Sequence, residues 1–167
     1  MKCELIDYAV DFSVIGIKFD DKPIIMGGLA MEYYGLRKHG SDVDFIVSNR
    51  DYQKLEEKYR NYRKDMWADW GIQLPEYEMF RSVYRFDYDY YAAGALEFDN
   101  YKVLSIDMLF RMKVYALNSG EKHNRDVELI KDYFNAKQNA VYKKYLEDNV
   151  DRYVNAKDGT IYNGDYY

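Results

Sequence analysis

The sequence predicts an α+β fold in which a small mixed sheet is flanked by helices and followed by a helical C-terminal portion. Three observations predict this architecture. Short apolar or alternating runs, which are typical of strands, lie before residue 105. Apolar residues at helical spacing lie between these runs. After residue 104 only helical spacing recurs, so that portion is expected to be helical.

Length and composition are those of one domain. A chain of 167 residues can bury about 70% of the surface that it exposes when unfolded. No repeat, low-complexity tract or Ser/Gly-rich linker marks a second domain. We therefore expect a single domain over 1–167, with a core at about 4–104, the helical portion at about 105–150 and a tail at 151–167.

Charge and hydropathy argue against two classes of protein. The net charge of −5 opposes binding of nucleic acid by bulk electrostatic attraction. No apolar run approaches the roughly 20 residues that cross a bilayer, so no membrane partner is expected. Glu4, Asp7 and Asp11 interrupt the segment that would be apolar in a signal peptide. The single cysteine, Cys3, cannot form an internal disulfide, which agrees with the cytoplasmic location that we expect.

The first half of the chain contains two strand patterns and three helical patterns. The strand patterns cover 23–26, which starts at a proline, and 42–48, which alternates. The helical patterns cover 4–15, 27–34 and 51–64. Gly35 is a suitable stop for the second helix, because glycine adopts the left-handed conformation that ends many helices.

The second half is predicted to contain one hairpin followed by helices. Alternating residues at 82–90 and 95–104 predict two strands joined through residues 92–94. Ser105 is a suitable N-cap for the first helix after this hairpin. The helices are predicted at 106–117, 123–135 and 138–148. Segment 65–81 shows no clear pattern.

Two pairs of residues are candidates for binding a metal ion and phosphate: Asp42 with Asp44, and Gly27 with Gly28. Asp42 and Asp44 are one residue apart on a predicted strand, so both carboxylates leave the same face. Two carboxylates open on one side suit Mg²⁺, whose other ligands are usually water and substrate phosphates. Gly27 and Gly28 begin a predicted helix, where free N–H groups and missing Cβ atoms let phosphate oxygens approach. Together the pairs predict a site for a metal-chelated nucleoside triphosphate.

The segment MGGLAMEYYGLRKHGSDVDF joins both pairs in one order: strand, Gly-Gly, helix, basic stretch, strand with Asp-x-Asp. This order resembles the nucleotidyltransferase superfamily of the DNA polymerase β type, and the resemblance implies the fold of that superfamily. Arg37 and Lys38 are candidates to steady the triphosphate, with a solvated loop as the alternative. Ser41 is a candidate phosphate contact, with a simple turn cap as the alternative.

The segment 104–134, LSIDMLFRMKVYALNSGEKHNRDVELIKDYF, is similar to the continuation in small bacterial members, the AbiEii-type toxins. There, a helix with a lysine precedes a Lys-x-Arg-Asp-x-x-Asp-like helix. Lys113 matches the first, and Asp126 lies in the approximate match to the second, where Glu128 or a shifted residue takes the final acidic position. The resemblance implies that Lys113 and Asp126 contact the nucleotide or position the acceptor. A buried structural pair is the alternative.

The superfamily usually has a third carboxylate on a neighbouring strand. The run YRFDYDYY offers Asp87 and Asp89 on one face of a predicted strand. We favour Asp87, with Asp89 next and Glu97 or Asp99 as more remote candidates. The predicted catalytic metal ligands are therefore Asp42, Asp44 and Asp87.

The resemblance implies a Mg²⁺-dependent enzyme that transfers a nucleoside monophosphate from a nucleoside triphosphate to an acceptor hydroxyl. It suggests tRNA as the acceptor and an antitoxin protein as the partner, in a toxin–antitoxin or phage-defence pair. A small molecule such as an antibiotic is the alternative acceptor. A non-catalytic module that binds a nucleotide or a partner protein is the alternative function.

Overall fold

The computed structural model describes residues 2–66 and 69–136, and within them the chain forms a mixed sheet with helices on its faces. The sheet strands are β1 (Ile24–Ile25), β2 (Val43–Ile46), β3 (Arg63–Met66), β4 (Asp69–Gln73), β5 (Tyr77–Phe80), β8 (Leu96–Glu97) and β9 (Lys102–Val103). Their order is β3-β4-β5-β2-β1-β9-β8. A separate small hairpin consists of β6 (Ser82–Val83) and β7 (Phe86–Asp87).

The helices are α1 (Glu4–Ala9), α2 (Gly27–Tyr33), α3 (Asn49–Lys58), α4 (Tyr88–Ala92), α5 (Ile106–Tyr115) and α6 (Glu121–Ala136), with 3-10 turns at Phe12–Ile15 and Arg60–Tyr62. None of the helices in the described ranges has both the length and the apolar character needed to cross a membrane. Together, these helices and the mixed sheet confirm the predicted α+β class for residues 2–66 and 69–136. The predicted helix at 138–148 and the tail at 151–167 lie outside these ranges.

Strand β2 is the centre of the sheet and fixes its register. It runs antiparallel to β1, with Ile25 opposite Phe45, and parallel to β5, with Asp44 opposite Glu78. Its apolar side chains are fully or almost fully buried, which is expected of a central strand covered on both faces. Because β1, β2 and β5 are neighbours, the residues at their adjoining ends lie close together.

The helical portion packs on this sheet through aromatic and aliphatic side chains. Phe110 of α5 and Phe134 of α6 are fully buried, with ring centroids 5.5 Å apart and planes at 89°. Burial of one such ring contributes about 1.5–3 kcal/mol, and the edge-to-face geometry adds to it. The packing therefore holds α5 and α6 as one layer, which places Lys113 and Asp126 side by side.

Several predicted elements are confirmed and several boundaries are wrong. The strand at 23–26, the helix that begins at Gly27 and the strand at 42–48 all form, in slightly shorter versions. Ser105 caps α5 as predicted, accepting a hydrogen bond from the Met108 N–H at 3.2 Å. The predicted helix at 4–15 ends at Ala9, because the Asp11 side chain caps a separate 3-10 turn. Segment 65–81, which has no clear sequence pattern, supplies β4 and β5.

The predicted hairpin of 82–90 with 95–104 is wrong. Strand β6 instead pairs with β7 across a two-residue turn, and the chain then enters α4. The carboxylate of Asp87 accepts the N–H of Tyr90 at 3.1 Å, so Asp87 is a helix N-cap rather than a mid-strand residue. Strands β8 and β9 pair with each other and form a separate short hairpin at the edge of the sheet.

Candidate functional site

The site begins where β1 passes into α2, directly against the Asp44 side chain. Gly27 has φ +60°, and a Cβ built on it would lie 2.3 Å from Asp44 Oδ2. The Met26 N–H donates to the Asp44 carbonyl at 3.0 Å, which ties the start of α2 to β2. Two features therefore favour glycine at position 27. Its backbone is left-handed, and a Cβ there would overlap the Asp44 carboxylate.

Glu78 is the carboxylate that accompanies Asp44. The two residues are paired in register on the parallel strands β2 and β5, and their side chains make hydrogen-bonding contact. Burial, followed by the charge of Glu78 and this hydrogen bond, raises the pKa of Asp44 to about 7. Gln73 donates its side-chain N–H to Glu78 from the neighbouring strand. The Asp44 carboxyl therefore keeps its proton up to near neutral pH, and a cation bound there would displace it.

Asp42 lies at the entrance to this pair, just before β2. Its side chain is exposed and accepts a hydrogen bond from Ser41 Oγ at 3.2 Å. Its negative charge is one of the causes that raise the pKa of Asp44, so the two carboxylates interact. Ser41 thus contacts Asp42, as a turn residue would.

Asp126 connects two cations beside the acidic pair. Its carboxylate is almost fully buried and accepts from Arg37 Nε at 2.6 Å and Nη2 at 2.9 Å. Lys113 Nζ donates to the same carboxylate at 2.8 Å. Burial alone would raise the pKa of Asp126, but the hydrogen bonds from Arg37 and Lys113 outweigh it and hold the pKa at about 2.

The loop between α2 and β2 is fixed by a second ion-pair group. Glu32 of α2 accepts from Lys38 Nζ at 2.6 Å and from the His39 N–H at 2.9 Å. A Cβ on Gly28 would lie 3.4 Å from the His39 Cα and 3.5 Å from Arg37 Nη1. A Cβ at position 28 would make only ordinary van der Waals contact with this loop, so the packing there does not require a glycine, and Lys38 pairs with Glu32.

These groups surround a pocket of about 200 Å³ between the sheet and α5. Its lining includes Gly27, Asp44, Glu78, Lys113 and His123. The structure thus brings the predicted residues Gly27, Asp44 and Lys113 to one pocket. Asp126 and Arg37 adjoin it through Lys113, and Asp42 adjoins it through Asp44.

Asp87, which the sequence analysis favours as the third carboxylate, is not part of this pocket, and the carboxylate beside Asp44 is Glu78. Asp87 lines a different cleft, of about 620 Å³, together with Arg50 and Arg81. That cleft lies where β2 and β5 end, whereas Asp44 and Glu78 lie near the start of the same strands. Asp89 lines the same cleft as Asp87, and Glu97 pairs with Lys22 at 2.7 Å, so neither of them replaces Glu78.

One sequence feature points to Glu78 as a partner of Asp44. It is easily missed because segment 65–81 as a whole shows no clear pattern. Val43, Asp44 and Phe45 repeat as Tyr77, Glu78 and Met79, with a carboxylate between two buried apolar side chains in both strands. A single charged residue in an otherwise buried parallel strand is expensive to bury without a function or a partner.

The carboxylate donors suit a hard divalent cation. Carboxylate oxygens are the ligands that Mg²⁺ prefers, and Asp44 and Glu78 lie close enough to share a proton. Within residues 2–66 and 69–136, however, no group of three or more His, Cys, Asp or Glu side chains is gathered closely enough to enclose a metal ion. The site therefore fits a cation that substrate oxygens help to coordinate, rather than one held entirely by protein ligands.

No family model matches the chain, and no curated protein matches it significantly. The function is therefore inferred from the geometry of the residues themselves.

Gly27→Ala tests the contact between the backbone and Asp44. The left-handed conformation alone costs about 1–2 kcal/mol for a residue with a Cβ, and the contact with Asp44 adds to this. We expect a lower free energy of unfolding in urea denaturation. Gly40→Ala is the matched control, because a Cβ there meets nothing within 4 Å. Equal stability of the two variants would contradict this account of Gly27.

Asp126→Asn tests the buried charge group. The substitution leaves Lys113 buried without a carboxylate, so we expect a loss on the order of 3 kcal/mol in the free energy of unfolding. Glu128→Gln, on the same helix, removes only an exposed pair with Lys131 and should change stability by less than about 0.5 kcal/mol. If Asp126→Asn lowered the free energy of unfolding no more than this control does, the ion pairs of Asp126 with Arg37 and Lys113 would not stabilise the fold.

Asp44→Asn tests the raised pKa. Between the unfolded pKa of 3.8 and the folded pKa of about 7, the folded state binds more protons, so stability falls as pH rises through this window. The asparagine variant lacks this loss. In metal-free buffer it should equal the wild type near pH 4 and exceed it at pH 8 by an amount on the order of 2–4 kcal/mol. Parallel pH profiles in urea denaturation would contradict the shift.

Proposed function

We propose that the chain is a Mg²⁺-dependent nucleotidyltransferase of the DNA polymerase β type, which transfers a nucleoside monophosphate from a nucleoside triphosphate to an acceptor hydroxyl. The observation that carries this proposal is the contact of Asp44 with Glu78 on adjacent parallel strands, with Gly27 against Asp44 at the mouth of one pocket. The sequence resemblance requires a third carboxylate on a neighbouring strand, and Glu78 supplies one.

The fold of that superfamily is part of the same proposal. The signature strand, Gly-Gly turn, helix and Asp-x-Asp strand correspond to β1, α2 and β2, which are consecutive and adjacent. The C-terminal helices α5 and α6 lie over the signature and bring Lys113 to the pocket. These placements support the assignment of both sequence blocks to one site.

The cations beside the pocket are suited to bind phosphate. Arg37 and Lys113 carry two positive charges, of which Asp126 neutralises one. The remaining positive charge faces a ligand with several negative charges. The bond to Asp126 also holds the Lys113 ammonium group in place, so little side-chain conformational entropy is lost when a triphosphate binds. In this proposal Asp126 is a positioning residue for Lys113 and Arg37.

The reaction forms a bond between the acceptor oxygen and the α-phosphorus and breaks the bond from that phosphorus to the pyrophosphate oxygen. Mg²⁺ held by Asp44 and Glu78, with Asp42 at the entrance to this pair, would supply charge stabilisation at the phosphoryl oxygens. The hydroxyl proton passes to a carboxylate oxygen, and Glu78 is the member of the pair that we assign to this role. Lys113 and Arg37 hold the phosphates that leave as pyrophosphate.

The acceptor is a further part of the proposal. The resemblance to toxin components favours tRNA, and Lys122 and Arg125 give α6 two exposed basic residues close to His123 at the pocket. A small-molecule hydroxyl, such as that of an antibiotic, is the alternative acceptor. An antitoxin protein that inhibits the enzyme remains a predicted partner.

A second candidate function is nucleotide binding without transfer. It is favoured by one observation, that the described residues gather no closed group of three metal ligands. A protein of this kind would bind a triphosphate at the same pocket but would lack the complete metal site that transfer needs.

Glu78→Gln tests the proposed enzyme. The purified chain is incubated with each radiolabelled triphosphate, Mg²⁺ and either total tRNA or a small-molecule extract, and label in the acceptor fraction is measured. Because Glu78 is the assigned base and a metal ligand, we expect transfer to fall by at least about 100-fold. Glu76→Gln, an exposed glutamate two residues earlier, is the matched control and should retain activity.

Three outcomes separate the hypotheses. Transfer that needs Mg²⁺ and Glu78 supports the enzyme, and the labelled fraction identifies the acceptor class. Equal transfer by wild type and Glu78→Gln would contradict the assignment of Glu78. Binding of triphosphate in equilibrium dialysis without transfer to any fraction would favour the binding module.

A further inference from the structure

The pocket at Asp44 continues into a larger, mostly apolar cleft. This second cleft has a volume of about 470 Å³ and lies between the β6–β7 hairpin and the C-terminal end of α5. Both cavities are lined by the same residues where they meet, among them Met26, Phe80, Val83 and His123. They therefore form one groove, with an acidic end at Asp44 and Glu78 and an apolar end beyond Val83.

The apolar end is built around a strained turn. Tyr84 and Arg85 are the two central residues of the β6–β7 turn and have φ of 49° and 67°. Asn and Gly are the residues that favour two consecutive positive φ angles, whereas a tyrosine and an arginine are strained there. Both side chains line the cleft. The turn therefore retains two unfavourable residues at a position where they face a cavity.

A buried carboxylate keeps this turn in place. Asp69 accepts the N–H of Tyr84 at 2.6 Å and the N–H of Arg85 at 3.0 Å, and Ser82 Oγ donates to it at 3.2 Å. The Asp69 carboxylate therefore accepts its hydrogen bonds from this turn. This support is independent of the residue types at 84 and 85, because Asp69 binds backbone N–H groups there, while the Tyr84 ring packs separately against Tyr115.

Two buried polar atoms in the same cleft have no hydrogen-bond partner among the described residues. They are Arg85 Nη1 and His123 Nδ1. A buried donor or acceptor without a partner is costly, and a ligand that draws the side chain toward the cleft would supply the missing partner. The cleft also has aromatic walls, since the rings of Tyr84 and Tyr115 lie 5.8 Å apart on its lining.

We propose that the apolar end of the groove binds the nucleobase of the triphosphate, while the acidic end binds its metal-chelated phosphates. A nucleobase is flat and apolar on its faces, and it carries donors and acceptors on its edge. It therefore matches aromatic walls with two buried polar atoms, Arg85 Nη1 and His123 Nδ1. One nucleotide spans both ends because the cavities adjoin. This inference rests on the proposed function and adds the base-recognition residues Tyr84, Arg85 and His123.

A double substitution, Tyr84→Asn with Arg85→Gly, tests the inference without risking the fold. Asn-Gly is the preferred sequence for such a turn, so relief of the backbone strain offsets the loss of the Tyr84 ring from its packing, and the variant should still unfold cooperatively. Its affinity for the best of the four triphosphates, measured by calorimetry with Mg²⁺, should fall by about tenfold or more. Its affinity for Mg²⁺-tripolyphosphate, which lacks a base, should not change.

Tyr8→Asn is the control variant, because Tyr8 is 95% exposed and lines neither cavity. It should bind both ligands as the wild type does. His123→Phe keeps an aromatic ring but removes Nδ1, so it should reduce the affinity differences among the four triphosphates.

The outcomes separate this inference from the proposed function. If the wild type binds neither tripolyphosphate nor any triphosphate, the proposed function is overturned and the inference falls with it. If the wild type binds both but the double variant loses affinity for neither, or for both equally, only the inference is overturned. A higher KM for the acceptor with unchanged triphosphate affinity would assign the apolar end to the acceptor and also overturn it.

Discussion

The burial of the Asp44 carboxylate against Glu78 is the interaction on which the site depends. Burial, followed by the charge of Glu78, raises the pKa of Asp44 to about 7, so both effects oppose ionisation of this carboxyl group. The arrangement requires β2 and β5 to be parallel neighbours in register, and it requires a glycine at position 27, where a Cβ would meet Asp44 Oδ2. A bound cation would turn this unfavourable contact into a favourable one.

The nearby positive charges form their ion pairs with Asp126 rather than with the acidic pair, although the charge of Lys113 still acts to lower the pKa of Asp44. Lys113 lines the same pocket as Asp44 and Glu78, yet its ammonium group is bonded to Asp126 at 2.8 Å. Arg37 is held by both oxygens of that carboxylate. Asp126 thus keeps two cations fixed beside the pair.

The local signals in the sequence are sufficient to predict half of this site. The Gly-Gly turn and the Ser105 cap are short motifs whose physics is local, and they form as predicted, whereas of the Asp-x-Asp pair only Asp44 lies on the strand and Asp42 precedes it. Glu78 is missed because its role arises from the pairing of β5 with β2, which no local pattern specifies. Asp87 is misassigned because alternation in YRFDYDYY predicts a strand, whereas the turn held by Asp69 and the cap at Asp87 break it into a hairpin and a helix.

The same balance between stability and function explains the unusual turn at Tyr84 and Arg85. A chain selected only for stability would place Asn-Gly at two consecutive positive φ angles, and Asp69 would hold that turn equally well because it binds backbone N–H groups. The larger residues give the cleft an aromatic wall and a guanidinium group instead. Strain at Tyr84 and repulsion at Asp44 therefore lie at the two ends of one groove, and a nucleotide that occupies both ends would compensate both.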